Sequence, residues 1–150
     1  MKRFLTLAAL TFMASPALAD DDLMKVQASG DVASTMDALK AAVEGAGAKV
    51  FARVDHASGA EGVGMELAPS QVLIFGNPKL GTPAMQDDPL AGLYLPMKIL
   101  VYEDANGQVW LAYEDPEEMF DELDGIDDDA EYIQTMTGAL GKLTQKAAGG

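Results

Sequence analysis

Met97-Lys98-Ile99-Leu100-Val101-Tyr102-Glu103-Asp104-Ala105-Asn106-Gly107-Gln108-Val109-Trp110-Leu111-Ala112-Tyr113-Glu114 is two apolar runs around an Asn-Gly pair. Asn-Gly between such runs is the strongest short-range hairpin signal, because a tight I′ turn needs φ > 0 at both central residues. The expected strands are Met97 to Glu103 and Gln108 to Glu114. With Asn106 and Gly107 as the two loop residues, Glu103 faces Trp110, Tyr102 faces Leu111, Leu100 faces Tyr113 and Lys98 faces Asp115. An antiparallel sheet is therefore the frame into which the other segments must fit.

Upstream, Gln71-Val72-Leu73-Ile74-Phe75 is a compact apolar strand. Leu23 to Ala28 alternates weakly, and Ala48 to Asp55 places Val50, Ala52 and Val54 on one face and Lys49, Phe51 and Arg53 on the other. Between them, Val32, Met36, Leu39 and Val43 recur at helical spacing. Ser29 or Asp31 can cap that helix, and Gly45 and Gly47 can end it. His56 to Gly64 is a short helical or irregular link. Thr82 can cap a short helix with Pro83 at its first position, broken by Asp87-Asp88-Pro89. Downstream, Pro116 to Leu123 is a short acidic helix. A longer one near Asp129 to Lys146 carries the stripe Tyr132, Ile133, Met136, Leu140 and Leu143. Together these give an α+β fold with a mainly antiparallel sheet and two long helices on one face.

The N-terminus reads as an export signal. Lys2 and Arg3 precede an apolar run from Phe4 to Ala14, and Ala17-Leu18-Ala19 is an A-x-A cleavage site. The run is too short to cross a bilayer, which takes about 20 residues. A cut after Ala19 leaves a domain over 20–150 in the periplasm, and Ala19-Asp20 provides no cysteine for a lipid anchor. The 150-residue chain has 10 basic and 24 acidic residues, a net charge of −14. Loss of Lys2 and Arg3 leaves 8 against 24, or −16. That balance excludes nucleic-acid binding, which depends on cations neutralising phosphates. It also disfavours an anionic membrane surface. With no cysteine, disulfides, thiolate metal sites and thiol nucleophiles are excluded.

Few motifs carry chemistry. His56 is the single histidine and follows Asp55. It could serve as a general base or a metal ligand, but one histidine cannot build a histidine-rich zinc site. Gly76 to Thr82 reads G-x-x-x-x-G-T, without the lysine of a phosphate-binding loop, and Pro78 removes an N–H donor. It reads better as a shaped turn that walls a pocket and lends it Asn77, Lys79 and Thr82. Lys98 interrupts an apolar strand and needs either a partner such as Asp115 or a ligand beside Tyr113. Glu114 to Glu131 holds 11 acids in 18 residues, but aligning Gly125 with the sixth position of a calcium loop puts Phe120 first, so a solvated acidic surface is expected. Seven methionines beyond the export signal are scattered and read as core filling rather than a copper site. No metal and no cofactor is expected.

Asp55-His56, then Val72 to Pro83 with its Phe75-Gly76-Asn77-Pro78-Lys79 core, then Leu95-Pro96-Met97-Lys98, then Tyr113 with Asp115-Pro116 resemble the domain-of-unknown-function 302 family over about Thr35 to Phe120. The resemblance implies a TATA-binding-protein-like β-α-β(4)-α fold that often forms a homodimer. It implies no established reaction, and the acidic helical part beyond Phe120 looks peripheral to it. The leading expectation is a periplasmic small-ligand binding or sensing domain. Its candidate ligand residues are His56, Asn77, Lys79, Thr82, Lys98 and Tyr113, and its ligand is an anionic or carbonyl-bearing small molecule. The alternatives are a dimeric protein-interaction module and a His56-centred enzyme or metal protein.

Overall fold

The computed structural model describes residues 23–149. The expected export signal over 1–19 and its cut after Ala19 lie outside them. The elements run β1 (Leu23–Gln27), α1 (Val32–Gly45), β2 (Lys49–Asp55), α2 (His56–Glu61), β3 (Ser70–Gly76), α3 (Pro78–Asp87), α4 (Ala91–Tyr94), β4 (Met97–Glu103), β5 (Val109–Glu114), α5 (Pro116–Phe120) and α6 (Glu131–Ala148). The five strands form one antiparallel sheet in the order β1-β5-β4-β3-β2. Strands β2 to β5 are a meander, and α1 carries the chain across the sheet from one edge strand to the other. This is the expected α+β architecture.

The hydrophobic patterns explain the layering. Asp31 caps α1 by accepting a 2.8 Å bond from the Ser34 N–H. The helix then buries Val32, Met36, Leu39 and Val43. They meet Leu73, Phe75, Met97, Ile99, Val101, Val109 and Leu111 from the sheet and Ile133, Met136 and Leu140 from α6. Both long helices lie on this face. The opposite face carries Val72, Ile74, Leu100, Tyr102, Trp110 and Ala112, all half-buried.

The hairpin differs from the expected turn. Asp104 accepts from the N–H groups of Asn106 and Gln108 at 2.8 and 2.9 Å, and from the Trp110 indole at 3.0 Å. That carboxylate organises a three-residue loop, Ala105 to Gly107, in which Gly107 alone has a positive φ, +76°. Leu100 therefore pairs with Ala112 and Tyr102 with Trp110, one residue away from the two-residue register. A one-residue slip exchanges the faces of a strand. Lys98 consequently lies exposed on the open face, whereas Tyr113 is buried under the helices. Asp115 is not the partner of Lys98; it caps α5 by accepting from the Glu117 N–H at 3.1 Å.

Strand β2 also departs from simple alternation. Its register with β3 shifts between Val50 and Ala52, as a β-bulge does. Val50 opposes Phe75, yet Arg53 opposes Leu73 and Asp55 opposes Gln71. Arg53 thus reaches the helix face, where its guanidinium pairs with Asp37 of α1 and donates to Gln71 Oε1 at 2.7 Å. Gln71 in turn donates to Asp55 at 3.0 Å. Helix α3 starts at Pro78 rather than Pro83, because Asn77 accepts from the Lys79 N–H at 3.0 Å and Pro78 suits the first helical position. Pro83 lies inside the helix. The short α4 carries no side-chain cap and no apolar period, so the sequence did not signal it.

Candidate functional site

Two depressions of similar size lie at opposite ends of α1 and β3. One, of about 760 Å³, is acidic, with Asp31, Asp55, Glu61, Glu66 and Glu103 on its walls. Two of these carboxylates already serve as caps. Asp31 closes α1, and the Ser34 backbone N–H holds its carboxyl below the ordinary value. Asp55 closes α2 by accepting from the Ser58 N–H at 2.9 Å. Among the described residues, no group of three or more His, Cys, Asp or Glu side chains could hold a metal ion.

The second depression is a cleft of about 730 Å³ between α3, α6 and the end of α1. Its floor is sheet and core: Phe75, Met97, Met136 and Leu140 are all buried. Leu80 and Met85 of α3 form one wall, and Thr135, Ala139 and Leu143 of α6 form the other. Ala46, Ala48 and Phe51 close the third side. Gly76 lets this corner close up, since a Cβ there would stand 3.3 Å from the Phe51 ring. Phe51 and Met85 are apolar yet 53% and 40% exposed, so the cleft presents greasy surface to solvent. No carboxylate lines it, and Lys79 is its one charged wall residue. Lys49, which does not line the cleft, lies 5.4 Å from the Phe51 ring centroid.

The six residues singled out from the sequence divide between this cleft and other places. Asn77, Lys79 and Thr82 line it, as part of the start of α3 rather than of a loop. Thr82 caps nothing, and the Asn77 carboxamide oxygen is committed to the Lys79 N–H. His56 opens α2 in an exposed position and lines neither depression. Lys98 is on the open sheet face. Tyr113 lies under α6 beside the Thr144 hydroxyl, and burial pushes its phenol above the ordinary value. A single pocket built from all six does not form. Phe51, Met85 and Ala139 also wall the cleft, and no motif in the sequence marks them for it. The stripe of α6 was visible, but a gap between its lower edge and α3 is a tertiary fact with no local signal.

The chain matches the family described as domain of unknown function DUF302 over residues 24–143, and it belongs to that family. The match takes in most of α6, which is structural rather than peripheral: the helix packs on α1 and walls the cleft. The fold is similar to the crystal structure of an uncharacterized conserved DUF302 protein from Bacillus stearothermophilus. The TM-score is 0.75 at 18% identity, over 84% of this chain and 98% of that one. Two curated relatives bear the name fluoride-specific ion channel FluC 1, from Brucella suis biovar 1 and Brucella abortus biovar 1. Each is 38% identical over 134 residues, 89% of this chain but 52% and 49% of their own lengths. The chain thus spans about half of these relatives. Among its described residues no helix is long and apolar enough to cross a membrane.

Proposed function

We propose that this DUF302 domain binds a small molecule in the cleft between α3, α6 and the end of α1. The observation that carries the reading is an apolar concavity of about 730 Å³ with exposed Phe51 and Met85 at its mouth and few polar groups around it. Ligand sites are typically of this size, mostly apolar, with a small number of placed polar groups. Nothing in the site supplies a nucleophile with its base, so binding or sensing is a better account than catalysis.

The test uses a neutral apolar fluorophore, N-phenyl-1-naphthylamine. Its emission is expected to rise on binding the wild-type protein and to stay low with Ala139→Trp or Thr135→Trp, which fill the cleft from α6. Urea midpoints check that each variant is folded. Equal emission from the wild type and both folded variants would remove the cleft as the site.

A second reading has its own observation: the sheet face with Leu100, Tyr102 and Trp110 half-buried and, among the described residues, no long helix over it. We propose that two such faces pair as a homodimer, and the export pattern at the N-terminus supports a periplasmic location for it. One periplasmic preparation tests both. Sedimentation is expected to give twice the chain mass, shifted to one by Leu100→Glu, and intact mass is expected to begin at Asp20. A wild-type monomer, or a chain retaining its first residues, would overturn the corresponding statement.

A further inference from the structure

We infer that the ligand of the cleft is a free amphipathic anion, with an apolar body lying on Phe51, Met85 and Met136 and an anionic head group, such as a carboxylate, at Lys79. This rests on the cleft being the binding site and adds the chemical class of what it holds. The argument is one of charge segregation. The chain has 24 acidic and 10 basic residues, and its other depression, of nearly equal volume, carries five carboxylates. The apolar cleft carries none, and its one charged wall residue is a cation, Lys79. A second cation, Lys49, does not line the cleft but stands 5.4 Å from the centroid of the Phe51 ring that does. In a molecule of net charge −14 this is a local reversal of sign, and an anion entering elsewhere is repelled.

The head group is assigned to the Lys79 side chain and not to the start of α3. That terminus is closed: Pro78 has no N–H, Asn77 Oδ1 takes the Lys79 N–H, and the Asn77 carbonyl takes those of Leu80 and Gly81. An ammonium on a flexible four-carbon stem can follow head groups of different depth. The other lining polar groups, the Asn77 carboxamide and the Thr82 and Thr135 hydroxyls, add no charge, and the Thr135 hydroxyl already donates to the Glu131 carbonyl at 2.8 Å. The body must be apolar, because the rest of the wall gives a polar chain no partners. A free amphiphile is favoured over a bilayer surface, since the site is concave and the surrounding charge opposes approach to anionic lipid.

The experiment displaces N-phenyl-1-naphthylamine with dodecanoate or dodecanol, each below its micellar or solubility limit, at a pH where the carboxylate is ionised. Both are expected to displace the probe from the wild type. Lys79→Met keeps most of the apolar stem and removes the charge. It is expected to raise the dodecanoate concentration for half-displacement about fivefold, the scale of a solvent-exposed ion pair, and to leave dodecanol unchanged. Lys142→Met, on an exposed part of α6 away from the lining, is expected to change neither. An unchanged dodecanoate midpoint in Lys79→Met, or an equal shift for dodecanol, overturns the head-group assignment while the cleft stands as a site. Probe binding with no displacement by either compound overturns the amphiphile. Failure of the probe to bind at all overturns the cleft reading itself. Sedimentation of the protein with phosphatidylglycerol vesicles overturns the free source in favour of a membrane; it is expected to stay in solution.

Discussion

Leu39→Ala is expected to destabilise the protein by about 3 kcal/mol, within the range of about 2–5 kcal/mol measured when a buried leucine is truncated. Leu39 has no exposed surface and occupies the middle of the apolar stripe of α1. The helix that carries it packs on β2, β3 and β4 beneath and on α6 beside it. Truncation removes three carbons and leaves a cavity that these elements cannot close without shifting the sheet. The loss is a large share of the roughly 5–15 kcal/mol that separates folded from unfolded states in a domain of ordinary stability. The measurement is a urea melt, in which the midpoint falls while the slope is kept. Lys40→Ala, one residue away, is the control. Its ammonium makes only an exposed contact with Glu44 at 3.7 Å, worth at most a few tenths of a kcal/mol. Similar midpoints for the two variants would mean that α1 does not pack with this face inward.

That stripe was legible because burial imposes a period, and a period survives in the sequence. Val32, Met36, Leu39 and Val43 are all buried, as are Ile133, Met136, Leu140 and Leu143. The strands were legible for the same reason. What the sequence concealed was register. Asp104 gave no sign that its carboxylate would accept three bonds and lengthen the loop by one residue. The bulge near Phe51 was equally silent, yet it turns Arg53 toward Asp37 and presents Phe51 to the cleft. The candidate site was half legible on these grounds. Asn77, Lys79 and Thr82 are close in sequence and stay close in space. Lys98 and Tyr113 were joined by a register argument, and a slip of one residue sends them to opposite faces. His56 stands out by its chemistry and by the Asp55-His56 block of the resemblance, and neither says which way a chain turns.

Gly107→Val is expected to cost about 1–3 kcal/mol, because a β-branched side chain opposes a φ of +76°. Nothing stands within 4 Å of where its Cβ would be, so the penalty is one of backbone strain and not of crowding. Gly107→Asn is the informative companion: asparagine tolerates the left-handed region far better, and most of the loss is expected to be restored. The same turn predicts an acid response. The Gln108 backbone N–H and the Trp110 indole hold the Asp104 carboxyl below 3.8, its ordinary value. A lowered folded-state pKa contributes stability that is present above the ordinary value and is lost as pH falls through the folded one. Wild-type protein is therefore expected to lose part of its hairpin stability below 3.8, and Asp104→Asn to lose less over the same interval. Trp110 fluorescence reports the change directly, since its indole N–H donates to the same carboxylate. An unchanged midpoint in Gly107→Val would mean that Gly107 does not hold the positive φ on which this loop turns, a conformation that a two-residue I′ turn would require there as well. An identical acid response in Asp104→Asn would remove Asp104 as the organiser of the loop.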